Sequence, residues 1–243
     1  MILYVNGDSH TAAAEATNPH AFAEDDGKYF YKGRAPHPDN LKVSWGKLLS
    51  ESLQAGFHCD AESASSNDRI LRTTREWINT TYPRFNDELL VIIQWSTWER
   101  EEWLIDGEYY QINASGIDVV PESHQEQYKE FVSIVDWNQK TQEAYQKIWE
   151  LHQELLSKNI KHIFFNGNND FSSVPFSVRD NVKGDKDWNN HYINPYDSNK
   201  TFDAVLKNSD YQTVSPDSWH FSRDAHGFWS RYMLQYILQH NFV

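Results

Sequence analysis

The run Leu89-Leu90-Val91-Ile92-Ile93-Gln94-Trp95 constrains the fold more than any other stretch of this chain. Successive side chains of a strand point to opposite faces, so an unbroken apolar run needs cover on both. That is the situation of a central parallel strand with helices on each side. Shorter strands are expected at Ile2–Val5, Phe57–Ala61 and Lys161–Phe165. Between them, helical spacing predicts helices over Val43–Leu53 (with Gly56 as the stop), Arg69–Thr81 and Phe221–Gln239. Gln125–Lys158 reads as one long helix or a broken pair, and 100–123 as an excursion with a hairpin at Asp106-Gly107. Alternating strands and helices predict an α/β fold with a central parallel sheet. Residues 171–215 are polar and aromatic without a period, which in a compact domain marks a functional loop or irregular elements. The expectation is one domain over 1–243, with long loops at about 11–42, 98–123 and 167–215.

Composition removes several function classes. A net charge of -13 argues against a nucleic-acid partner, because phosphate binding needs a basic face. No apolar run is long enough to span a bilayer, so no membrane partner is expected. Met1 leads directly into a strand, so no secretory signal is expected and the sequons at Asn79, Asn113 and Asn199 read as chance. Cys59 is the only cysteine, which excludes intramolecular disulfides and cysteine-based zinc sites.

The chemistry-bearing residues lie near the two ends. Gly7-Asp8-Ser9-His10 follows the first strand at once, placing Ser9 at a carboxyl strand end, where open α/β sheets bind ligands. A serine hydroxyl needs a neighbouring base, and that base needs a group to fix its tautomer. Asp217-Ser218-Trp219-His220 offers both: on a turn or first helical stage, a spacing of three puts carboxylate and imidazole on one side. Without such pairing, the two read as a helix cap and a surface histidine.

Gly7-Asp8-Ser9 with Asp217-x-x-His220, and the cluster from His220 through Phe221, His226 and Trp229 entering the last helix, resembles the SGNH (GDSL-type) hydrolase family. The resemblance implies a flavodoxin-like three-layer α/β/α sandwich and ester hydrolysis through an acyl-serine. Ser9 would be the nucleophile, His220 the base and Asp217 its orienting partner, with no metal or organic cofactor. It also implies an oxyanion hole. The Ser9 N–H can supply one donor, and Ser65 is the best candidate for the N–H of the turn after the second strand, where the family's glycine is missing. The family's asparagine aligns with Thr97 after the third strand; Gly167-Asn168-Asn169-Asp170 spells the block but follows the fourth, leaving Asn169 as the alternative to Thr97 or Ser96.

Residues 66–74, with Trp95 to Trp103, also resemble a branch of SGNH-like proteins from tailed phages, which implies a cytoplasmic or virion-associated setting. Arg69 and Arg72 read as a helix face paired with Asp68 and Glu76; the other reading has Arg69 and Arg100 tying the loops of the second and third strands together. Trp98 and His10 are candidate substrate contacts. The expected substrate is a small-molecule or glycan ester, with O-acetyl carbohydrate the leading class. Two alternatives stand beside the esterase. One is a non-catalytic glycan-binding or structural protein, using Trp98, Trp188, Tyr192 and Tyr196 against sugar faces. The other is a two-metal phosphoesterase built from Asp8, His10, the 167–170 block and His226.

Overall fold

The computed structural model describes residues 1–23, 35–114, 120–175 and 188–243. Parts of the three long loops expected from the sequence, residues 24–34, 115–119 and 176–187, lie outside the described residues. Four parallel strands form the main sheet: β1 (Ile2–Asn6), β2 (Gly56–Cys59), β3 (Leu89–Trp95) and β6 (Lys161–Asn166). Their order is β2-β1-β3-β6, with Ile2 paired to both Gly56 and Leu89, and Leu90 to Lys161. This is the flavodoxin-like arrangement, in which the chain steps to one side of β1 and then to the other.

The alternation of side chains builds the three layers. Tyr4, Val91, Ile93, Trp95 and Phe164 face α3 (Asn67–Thr80) and α5 (Trp137–Ser157), meeting Ile70, Trp77, Tyr145 and Ile148. Leu3, Val5, Leu90, Ile92, Ile163 and Phe165 face the opposite way. They meet α2 (Trp45–Ser52), α6 (Phe202–Asn208) and α7 (Arg223–Gln239) through Trp45, Leu49, Phe202, Trp229 and Met233. Every residue of β3 is buried, as a strand covered on both faces must be. Each aliphatic side chain so buried stabilises the fold by about 1.5–3 kcal/mol.

Local details depart from the sequence expectation for identifiable reasons. The expected Val43–Leu53 helix is α2, which opens where Ser44 accepts from the Lys47 N–H at 3.2 Å, while a short α1 (Pro38–Lys42) stands before it within the stretch expected as loop. The 125–158 segment is a broken pair, α4 (Gln125–Ile134) and α5, divided where Asp136 accepts from the N–H groups of Asn138 and Gln139. Helix α6 lies inside the stretch that shows no period; at seven residues, with only Phe202 and Leu206 buried, it is too short to display one. The excursion is an antiparallel hairpin of β4 (Glu101–Ile105) and β5 (Glu108–Ile112). Its turn holds Asp106 and Gly107 both at positive φ, 51° and 85°, as a two-residue hairpin turn requires. Among the described residues, no helix is long and apolar enough to cross a membrane.

Candidate active site

Because all four strands of the main sheet are parallel, the segments after β1, β2, β3 and β6 gather at one edge. Asp8 is their hub. One of its carboxylate oxygens accepts from the His10 N–H at 3.0 Å and from Gln94 Nε2 at 2.9 Å. The other accepts from Ser96 Oγ at 2.9 Å and lies 3.5 Å from Arg100. Burial alone would raise the Asp8 pKa, but the charges of His10 and Arg100 and these hydrogen bonds hold it below the usual carboxylate range. The Gln94 carbonyl accepts from Thr11 Oγ1 at 2.8 Å, so one amide at the end of β3 fixes both sides of the Ser9 turn.

The next loop is pinned in the same way. Asn67, the first residue of α3, accepts from the Ser96 N–H at 2.9 Å and donates to the Ser96 carbonyl at 3.2 Å. Arg69 reaches the Asp60 carbonyl at 2.8 Å and Glu62 at 2.5 Å, while Arg100 donates to Ser96 Oγ at 3.0 Å and to the Ser65 carbonyl at 3.4 Å. Arg100 therefore ties the loops after β2 and β3, whereas Arg69 braces the β2 loop alone, and the simple helix-face pairing of Arg69 is corrected. Asp68 pairs with Lys147 instead, and Arg72 takes Glu102 at 2.7 Å in addition to Glu76 at 3.7 Å.

The two ends of the chain meet at this edge. The ring centres of His10 and His220 are 5.7 Å apart, and Phe202 and Phe221 pack against His10. Among the described residues Ser9 Oγ makes no hydrogen bond to His220, although both flank the His10 ring in sequence or space. His10 is buried, which lowers its pKa against the opposing pull of Asp8, and its Nδ1 has no partner among the described residues.

Asp217 is not the carboxylate on His220. Residues 214–220 close as a hairpin, with the Val214 N–H on the His220 carbonyl at 2.8 Å and Thr213 bridged to Phe221. The helical spacing that would align Asp217 with His220 is absent, and Asp217 is exposed. Glu15 takes its place: its Oε2 lies 2.9 Å from His220 Nδ1 and accepts from Ser218 Oγ at 2.6 Å. Ser218 Oγ in turn accepts from the His220 N–H at 3.0 Å. Burial would raise the Glu15 pKa, but the hydrogen bonds from Ser218 and His220 hold it down. The sequence carried one signal for Glu15, a lone carboxylate within Ala12-Ala13-Ala14-Glu15-Ala16.

Other sequence candidates are placed differently from their expected roles. The Ser65 N–H is spent on the Glu62 carbonyl at 3.2 Å, and Thr97 Oγ1 donates to Glu99 at 2.9 Å. The Ser9 N–H has no partner among the described residues, and Asn169 Oδ1 is buried without one. Trp98 is only 3% exposed and stacks on Phe171 at 4.6 Å, so it is part of the core rather than a substrate contact. Trp188 and Tyr192 are buried as well. His226 accepts from the Trp45 N–H at 3.4 Å. With Asp8 and His226 so engaged, no group of three metal-ligating side chains converges among the described residues.

A family of unknown function, DUF6071, matches residues 37–158. The chain belongs to that family. The DUF6071 match contains the loops after β2 and β3, with Asn67, Ser96 and Arg100; Ser9, Glu15 and His220 lie outside it. No curated protein matches the chain. Among solved structures, this DUF6071 protein is similar to a psychrotrophic esterase, EstA, from Pseudoalteromonas sp., with 13% identity, 98% of this chain and 97% of that chain covered, and a TM-score of 0.49. It is also similar to a putative lipolytic protein of the G-D-S-L family from Desulfitobacterium hafniense, with 14% identity, coverage of 97% and 99%, and a TM-score of 0.46. A third is an acetyl xylan esterase, Est2A, from Butyrivibrio proteoclasticus, with 11% identity, coverage of 99% and 64%, and a TM-score of 0.43.

Proposed function

We propose that this chain is a serine ester hydrolase, with Ser9 as nucleophile and His220 as general base, acting on small or carbohydrate esters and foremost on O-acetyl groups. The observation that carries the reading is the contact between residues 10 and 220 at the carboxyl edge of the sheet, with a carboxylate on His220 Nδ1. With Nδ1 engaged, Nε2 is the ring nitrogen left to accept the Ser9 proton. Ser9 Oγ then adds to the acyl carbon, the bond to the alcohol oxygen breaks, and His220 returns the proton to that oxygen. Water repeats the sequence to free the acid and restore Ser9. The Ser9 N–H, without a partner among the described residues, is the candidate to receive the developing oxyanion, and Asn169 could add only its Nδ2 donor. The network around Asp8 holds the Ser9 turn in place, as such chemistry demands.

A second reading, a non-catalytic glycan-binding or structural protein, is favoured by the engaged Ser65 N–H and Thr97 hydroxyl. A missing oxyanion donor costs on the order of 100- to 1000-fold in rate. A panel of nitrophenyl esters, run on wild type and Ser9→Ala in EDTA, separates the readings. The esterase predicts turnover with an acetyl preference that EDTA spares and Ser9→Ala abolishes. Equal rates in both proteins reject Ser9 as nucleophile, and no turnover in either favours the binding role.

A further inference from the structure

We infer that Glu15, not the residue three positions before the histidine, is the carboxylate that positions His220, so that the imidazole is held by the same loop that carries Ser9. This assignment deepens the serine-hydrolase reading and rests on it for its catalytic consequence.

The loop geometry supports the assignment independently of any family pattern. From Asp8 the backbone turns tightly, with the Thr11 and Ala12 N–H groups on the Asp8 carbonyl and the Ala14 N–H on the Ser9 carbonyl at 3.0 Å. Ala13 and Glu15 both adopt positive φ, 55° and 63°. Left-handed backbone is costly for residues with a Cβ and tends to gather where function over-determines the conformation. Its outcome here is a single carboxylate oxygen that receives two groups, the Ser218 hydroxyl at 2.6 Å and His220 Nδ1 at 2.9 Å.

Ser218 Oγ, by accepting from the His220 N–H, fixes the backbone of the residue whose ring Glu15 orients. Ring and backbone of His220 are thus both referred to Glu15, across 205 positions of sequence. A carboxylate only accepts hydrogen bonds, so it selects the tautomer with the proton on Nδ1 and the lone pair on Nε2. An amide in its place can donate and select the opposite tautomer, which cannot take the serine proton.

The test uses the full chain in four forms: wild type, Glu15→Gln, Glu15→Asp and Asp217→Asn. The first readout is the tautomer of His220 from ¹⁵N chemical shifts in histidine-labelled protein, which needs no substrate. Wild type and Asp217→Asn are expected to show Nδ1–H, and Glu15→Gln to lose it. The second readout is ester hydrolysis. Glu15→Gln is expected to lower kcat on the order of 10⁴-fold with little change in KM. Glu15→Asp should restore part of the rate, and Asp217→Asn should lose little.

An unchanged His220 tautomer in Glu15→Gln overturns the assignment, as does a kcat loss in Asp217→Asn that equals or exceeds that of Glu15→Gln. If the tautomer responds to Glu15→Gln but Ser9→Ala hydrolyses esters as fast as wild type, the positioning role stands and the serine-hydrolase reading falls.

Discussion

His226 gives this protein an acid sensitivity whose size can be worked from the structure. It is fully enclosed on α7 and accepts a hydrogen bond from the Trp45 N–H. Burial, reinforced by the nearby His10 and His220, pushes its pKa down to about 3. In the unfolded chain the same imidazole titrates near 6.5. The folded state therefore keeps His226 neutral where the unfolded state takes up a proton. Its contribution is complete above pH 6.5 and is lost as pH falls toward about 3. At pH 5 the loss is roughly 1.5 pH units at about 1.4 kcal/mol each, or about 2 kcal/mol. That is a sizeable part of a typical folding free energy of about 5–15 kcal/mol. Urea unfolding at pH 7 and pH 5 measures it, with an expected midpoint drop of roughly 1 M from this residue. His226→Gln removes the titration but leaves His10, His162 and His191, whose pKa values burial also lowers. The variant should therefore lose about 2 kcal/mol less than wild type between the two pH values. Identical losses in both proteins would refute the reasoning.

Two substitutions test the packing beneath the Ser9 turn. A Cβ on Gly167 would stand 2.5 Å from Gln94 Nε2 and 3.0 Å from the Trp95 carbonyl, so Gly167→Ala must displace the amide that holds Asp8. A cost of about 1–3 kcal/mol in urea unfolding is expected, together with slower ester turnover. Asn67→Ala strips the partners from the Ser96 N–H and carbonyl, and should cost about 1–3 kcal/mol by the same measurement.

The main sheet was legible because its evidence is repetitive. Leu89–Trp95 is buried along its whole length as an unbroken apolar run requires, and the Asp106-Gly107 turn follows from two residues that tolerate positive φ. Helix α6 was illegible because two buried positions in seven residues make no period. At the proposed site, the approach of the first-strand turn to His220 was legible because both motifs fall at the carboxyl edge of the sheet. The carboxylate was not, since its place depends on a hairpin at 214–220 and a left-handed turn at Glu15, neither of which spacing reveals. Trp98 shows the converse error: a tryptophan beside a site reads as a sugar platform, yet its ring lies on Phe171.

The serine-hydrolase reading is tested most directly by the reaction of the intact protein with an organophosphonate ester, followed by peptide mass mapping. One phosphonyl group on Ser9, absent from Ser9→Ala and formed much more slowly in His220→Ala, is the predicted result. An unmodified Ser9 in wild type, or equal labelling with and without His220, would contradict it.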